Sequence, residues 1–295
     1  MSTAEAPERA LPLLVSPGWV AARLHWDDLV VLDATVELHF PATGPCTASS
    51  GEPGYLAGHV PGAVFADLLG ELSDPDAPHL FTLPQPDRFA AAAGALGIGP
   101  GRRVVVYDQG AGAWATRLWW QLRAFGFDDV AVLDGGLPAW RDAAQPVETG
   151  PVAPRPVAFS SRPRPQLVAG AETVRNALPE ANSCLLFTLD EATFRGEGPN
   201  RYARPGRIPG SRLLPSASLT DPRTGRLLPV EELSQRLHAA GVLTAERPIS
   251  YCGGGISATV VAFAAALAGR DDVAVYDGSL TEWASDPARP LVTGR

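Results

Sequence analysis

Short, continuous apolar runs alternate with longer helix-spaced ones along most of the chain, and Gly- and Pro-rich polar stretches separate them. Leu29-Val-Val-Leu-Asp33, Val104-Val-Val-Tyr107 and Val130-Ala-Val-Leu133 are β-branched and unbroken, as strands buried on both faces of a parallel sheet are. Residues 86–96 and 116–125 carry helical patterning, and residues 230–240 and 257–267 do the same later in the chain. Strand alternating with helix predicts the α/β class, with parallel sheets flanked by helices on both faces. In such a sheet the functional crevice lies beyond the carboxyl ends of the strands.

The pattern occurs twice. Gly58-His-Val-Pro-Gly-Ala-Val64 answers Gly206-Arg-Ile-Pro-Gly-Ser-Arg212, and Arg103-Val-Val-Val-Tyr-Asp108 answers Pro248-Ile-Ser-Tyr-Cys252. Val130-Ala-Val-Leu-Asp-Gly-Gly-Leu-Pro-Ala-Trp140 answers Val273-Ala-Val-Tyr-Asp-Gly-Ser-Leu-Thr-Glu-Trp283. The spacing between paired landmarks is nearly constant, so two copies of one domain of roughly 130 residues are expected. They are placed at residues 10–146 and 167–295. Residues 147–166 form a connector whose prolines favour extended chain over packed structure.

Composition narrows the function. The 295 residues are 45% hydrophobic and 19% charged, the balance of a packed globular protein. A net charge of −8 gives no general attraction to nucleic acid, although a local arginine cluster can still hold a small anion. No apolar run is long enough to cross a membrane, and the acidic start Met1-Ser-Thr-Ala-Glu-Ala-Pro-Glu8 lacks the layout of a signal peptide. The three cysteines, Cys46, Cys184 and Cys252, form no CxxC pair. Neither a metal site nor a disulfide framework is expected, no metal or organic cofactor is implied, and the reducing cytoplasm is the natural compartment.

Cys252 stands apart. A short apolar strand ends in this thiol, three glycines follow, and a long apolar helix begins. A thiol at a helix N-terminus is stabilised as thiolate, and glycines let backbone N–H groups converge on one anion. This points to a nucleophilic or sulfur-carrying cysteine. Its counterpart in the first copy is Asp108, and a carboxylate cannot accept a sulfane sulfur, so that copy reads as scaffold and cleft wall. Cys184 reads as a core strand residue, Cys46 as incidental, and Trp119, Trp120, Trp140 and Trp283 as core. Asp134 and Asp277 read as turn formers.

Together these landmarks resemble the tandem-domain rhodanese-like sulfurtransferases over nearly the whole chain. The resemblance rests on residues 59–62, 105–108, 117–120, 133–136, 208–210, the Cys252 loop and residues 276–279. It implies two tandem rhodanese-like domains, each a parallel sheet flanked by helices, the first non-catalytic and the second catalytic. It also implies a two-step reaction, in which Cys252 takes sulfur from a small donor as a persulfide and passes it to a thiol, cyanide or a thioredoxin-like protein. The N–H groups of Gly253, Gly254, Gly255, Ile256 and Ser257 are the candidate anion donors. Thiosulfate-using members carry two cations after the cysteine, whereas the uncharged loop here is closer to mercaptopyruvate users. 3-Mercaptopyruvate is therefore expected ahead of thiosulfate.

Three positions depart from the mercaptopyruvate pattern. Gly254 stands where a relay serine is expected, and Ser50, with Glu52 nearby, where an acidic residue is. Thr193 replaces the main substrate-gripping arginine. The resemblance assigns His59 as a candidate proton relay, against the plainer reading of a turn-forming histidine. Arg201 with Arg207, flanking Arg204, is the expected replacement grip on the donor's carboxylate. The alternative is an altered rhodanese-like binding or redox-sensing protein. Gly253-x-Gly255-x-x-Ala258 also fits a dinucleotide fingerprint, but Gly110-x-Gly112-x-x-Ala115 shows the same spacing in the other copy, so it travels with the fold. A cysteine phosphatase needs an arginine where Ala258 stands.

Overall fold

The computed structural model describes residues 11–41, 44–178, 183–199 and 201–294. The acidic N-terminal segment and both outer domain limits, 10 and 295, lie outside them. The first half runs β1 (Leu14–Val15), α1 (Pro17–Ala21), β2 (Leu29–Asp33), β3 (Val36–His39), β4 (Thr47–Ser50), α2 (Glu52–Ala57) and β5 (Val64–Phe65). It continues with α3 (Pro86–Ala95), β6 (Arg103–Tyr107), α4 (Ala113–Ala124), β7 (Val130–Leu133) and α5 (Gly136–Asp142). The second half begins with β8 (Val168–Ala169), α6 (Ala171–Ala177), β9 (Ser183–Phe187), α7 (Glu191–Arg195) and β10 (Arg212–Leu213). It ends with α8 (Val230–Ala239), β11 (Arg247–Tyr251), α9 (Ser257–Leu267), β12 (Ala274–Tyr276) and α10 (Ser279–Ser285).

Each half forms a five-stranded, all-parallel sheet. The orders are β1-β7-β6-β2-β5 and, in matching sense, β8-β12-β11-β9-β10. One order therefore serves both sequence copies. The predicted central strands and all four predicted helices are present, with ends within a few residues of the expected ones. One element was not foreseen. The expected loop around Cys46 contains the antiparallel hairpin β3–β4, which pairs Val36 with Ser50 and His39 with Thr47.

Side-chain alternation along each strand feeds two different cores, because successive residues of a strand point to opposite faces. Val104 and Val106 of β6 enter a large core that also contains Leu186, Phe263, Leu233 and Trp119 from both halves of the chain. Val105 and Tyr107 face an outer core with Val20, Leu137 and Trp140. The second sheet does the same, with Ile249 and Tyr251 packed outward on Trp283 and Leu280. The two halves meet through α4 and α9, where Trp119 stands edge-on to Phe263 at 4.8 Å and Thr116 Oγ1 lies 3.0 Å from Thr259 Oγ1.

The connector is extended, and it is also tightly laid down. Residues 151–164 contain no helix or strand, yet Val157 N–H donates to Gly94 O at 2.9 Å and Arg162 N–H to Phe125 O at 2.8 Å. Gly94, Gly97 and Gly99 allow this approach, since a Cβ on them would lie 2.6–2.9 Å from carbonyl oxygens of the strap. Among the described residues, no helix is long and apolar enough to cross a membrane.

Candidate active site

The alternation that sends Ile249 and Tyr251 outward turns Ser250 and Cys252 inward, toward the junction of the two halves. Cys252 follows β11 directly and is nearly sealed, at 2% exposure. Its N–H donates to Ser279 Oγ at 3.1 Å, its carbonyl accepts from Leu280 N–H at 3.0 Å, and its Sγ lies 4.0 Å from the same Ser279 hydroxyl. Ser279 holds a left-handed backbone, φ 48°, uncommon for a residue with a side chain and often found where a site constrains the chain.

Among the described residues, no hydrogen bond engages the N–H groups of Gly253, Gly254, Gly255, Ile256, Ser257 or Ala258. The corresponding loop of the first half shows what such a shape holds. Asp108 Oδ1 accepts from Gly110 N–H at 2.9 Å and Gly112 N–H at 3.0 Å, and Oδ2 from Trp114 N–H at 2.9 Å and Ala115 N–H at 3.1 Å. One copy thus carries its own anion in the cradle, and the other presents a thiol there.

The two halves brace each other's loops. Arg117, on α4 of the first half, is buried and donates to Gly255 O at 3.1 Å and to Phe81 O. It also pairs with Asp277 at 2.7 Å and lies over the Trp120 ring. Asp277 Oδ2 accepts from Leu83 N–H of the first half at 2.8 Å, and in mirror fashion Asp134 Oδ1 accepts from Leu227 N–H of the second at 3.0 Å. Both aspartates therefore do more than form the turns expected of them. The sequence signal for Arg117 was a charge beside the Leu118-Trp119-Trp120 run of this helix.

The arginines separate cleanly. Arg204 is consumed by the carbonyls of Ala284, Arg289, Trp283 and Asp286. Arg207 donates to Phe194 O at 3.0 Å and Gly294 O at 2.8 Å and lies 4.1 Å over the Phe194 ring, contacts that fasten the C-terminal tail. Arg201 differs. Its guanidinium lies 4.9 Å over Phe40 of the first half's hairpin, and its buried Nη1 has no hydrogen-bond partner among the described residues. Asp190 caps α7 by accepting from Thr193 N–H at 2.9 Å and Thr193 Oγ1 at 2.8 Å, and against the upward push of burial those bonds hold the Asp190 carboxyl below its usual range.

None of the contacts described for His59 involves Cys252. It is fully buried in its own half, with Nδ1 2.9 Å from Tyr55 O, its ring stacked on Tyr55, and Nε2 4.0 Å from Glu148. Ser50 accepts from Glu52 N–H in the same half. Cys184 is a buried β9 residue whose thiol burial pushes up. Tyr202, which sequence reasoning passed over between two arginines, lies against the Cys252 loop: a Cβ on Gly253 would overlap its Oη.

Two repeated parallel α/β domains, one with a cysteine at its strand-to-helix loop and one with a carboxylate at the matching position, define the class of protein. The chain belongs to the rhodanese-like domain family, whose profile matches residues 16–143 and 195–286. It is 38% identical to a Pseudomonas aeruginosa protein named "Probable 3-mercaptopyruvate sulfurtransferase", over 95% of this chain and 98% of that one. Among solved structures it resembles SseA from Escherichia coli, a 3-mercaptopyruvate sulfotransferase, at 30% identity and TM-score 0.77, covering 91% and 99% of the chains. It also resembles the anaerobic ergothioneine biosynthesis enzyme of Chlorobium limicola in complex with trimethyl histidine. That match has 25% identity and TM-score 0.82, covering 96% of this chain and 70% of the other.

Proposed function

We propose that the protein is a sulfurtransferase that carries sulfur on Cys252 and takes it from 3-mercaptopyruvate in preference to thiosulfate. The observation behind this reading is the pair of cradles: Asp108 fills one with four N–H contacts, while the N–H groups around Cys252 have no protein acceptor among the described residues. In the first step the Cys252 thiolate attacks the donor's sulfur. An S–S bond forms, the C–S bond breaks, and its electron pair leaves as the enolate of pyruvate, which takes a proton from water. The loop's N–H groups then hold the anionic outer sulfur. In the second step a thiolate or cyanide attacks that sulfur and the S–S bond breaks back to the Cys252 thiolate.

Arg201 is the grip on the donor's carboxylate, since its guanidinium has a buried N–H with no partner among the described residues, which a carboxylate would satisfy. His59 is structural in this reading, and the acceptor is a small thiol, cyanide or a thioredoxin-like protein. The three free cysteines fit a reducing compartment, the cytoplasm. Loss of a charged hydrogen bond is worth on the order of tenfold or more in kcat/KM. Arg201→Ala is expected to lose that much with 3-mercaptopyruvate, and Arg207→Ala to lower thermal stability with KM little changed. Full turnover in Arg201→Ala, or a higher kcat/KM for thiosulfate in the native protein, overturns this assignment.

A further inference from the structure

The tyrosines of the chain differ in what their hydroxyls do. Tyr55 Oη donates to Ala63 O, Tyr107 Oη accepts from Val60 N–H, and Tyr251 Oη accepts from Ile208 N–H and bonds Ser211. Each of these ties down its own domain. Two hydroxyls have no hydrogen-bond partner among the described residues: that of Tyr276, shut inside the second half's outer core, and that of Tyr202, whose partly buried ring packs against the same core from the side of the Cys252 loop. The Tyr202 hydroxyl lies over the first residue after the nucleophile. A Cβ built on Gly253 would overlap the hydroxyl oxygen, while the ring carbons Cζ and Cε1 would stand 3.3 and 3.4 Å away. Gly253 has no left-handed φ, so its backbone does not require glycine. The phenol above it does.

Tyr202 also follows Arg201, the one arginine of its cluster whose guanidinium N–H lacks a partner. A cation and a hydroxyl donor thus come from adjacent residues, the hydroxyl lying over Gly253 and within the electrostatic reach of both Cys252 and Arg201. That pair matches a 2-oxo acid, whose carboxylate and ketone oxygen are on adjacent carbons. We propose that the Tyr202 hydroxyl is a catalytic hydrogen-bond donor to the ketone oxygen of such a sulfur donor, and that residue 253 is glycine to make room for it. The proposal rests on the reading of Cys252 as the sulfur carrier.

The chemistry gives the hydroxyl a role in one half-reaction only. As Cys252 sulfur bonds to the donor's sulfur and the C–S bond breaks, the electron pair moves through carbon onto the ketone oxygen. Negative charge grows there, and a donor already aimed at it lowers the barrier without giving up its proton. Burial first, and the neighbouring Cys252 next, push the phenol above its ordinary range, so it stays a neutral donor at working pH. Thiosulfate and polysulfide release no enolate, and discharge of the persulfide releases none either.

The test is single-turnover loading of Cys252, followed by mass spectrometry, in the native protein and in Tyr202→Phe. Loading from 3-mercaptopyruvate is expected to slow on the order of a hundredfold in the variant, the usual cost of removing one oxyanion donor. Loading from inorganic polysulfide is expected to slow less than threefold. Equal slowing with both donors overturns the proposal, as does no slowing with either. A native protein that takes sulfur from neither donor overturns the Cys252 reading itself, and the proposal with it. Thermal unfolding gives a readout independent of turnover. Gly253→Ala is expected to lower the midpoint, and adding Tyr202→Phe to restore most of it, because the overlap is with the hydroxyl oxygen. Purely additive effects of the two substitutions place the phenol elsewhere and overturn the assignment.

Discussion

The glycines of the Cys252 loop are not equivalent. Gly255 has φ +78° and a Cβ there would lie 2.6 Å from Asp277 O and 2.9 Å from Arg117 Nη1. Gly254 has neither constraint, with nothing within 4 Å of an added Cβ. Gly255→Ala is therefore expected to lose at least about 1–2 kcal/mol from the left-handed backbone alone, whereas Gly254→Ser leaves stability unchanged; denaturant titration of both variants distinguishes them. Equal losses in the two would show that the loop is not held as described. The sequence placed Cys252 at a strand-to-helix junction and Cys184 in a core strand, because a strand-glycine-helix junction and an unbroken apolar strand are local patterns. It did not separate Arg201 from Arg207. That distinction depends on where the tail near Gly294 returns, and on a hairpin from the other half reaching Arg201 through Phe40.

Helix α4 links the two halves mechanically, because its apolar face packs on α9 while Arg117 reaches the sulfur loop. Arg117→Met would leave the Asp277 carboxylate buried without its cation. Breaking a buried pair this way costs about 3–5 kcal/mol, and we expect a lowered thermal midpoint together with slower Cys252 loading. An unchanged midpoint would contradict the brace. The connector offers a pH test. Arg164, paired with Asp128 at 2.5 Å, holds the Asp128 carboxyl below its usual range. The folded carboxyl thus binds its proton less readily than the unfolded one, so its contribution is present above the ordinary aspartate range near pH ~4 and is lost as pH falls through the depressed folded value. Asp128→Asn is expected to be less stable than the native protein at neutral pH and equal to it in strong acid, by urea midpoints. A difference that persists unchanged into acid would exclude the ion pair as its source. The connector's extended form was legible from its prolines. Its close seating was not, since it requires Gly94, Gly97 and Gly99 to meet carbonyls more than fifty residues further along the chain.

At the scale of the whole molecule, duplication explains most of what was readable. Constant spacing between landmarks gave two domains, and matching strand order in the two sheets agrees. What the repeat could not convey is how the copies exchange contacts. Leu83 N–H reaches Asp277 and Leu227 N–H reaches Asp134, so each copy closes the other's turn. Such contacts join residues of opposite halves and leave no local periodicity. The same duplication explains the site. Asp108 fills its own cradle, and Cys252 stands at the matching place in the other copy. The most direct test is peptide mass spectrometry after incubating the native protein with 3-mercaptopyruvate and removing the excess. The account predicts one added sulfur on the Cys252 peptide and none on those of Cys46 or Cys184; no added sulfur on Cys252, with thiosulfate as well, would contradict it.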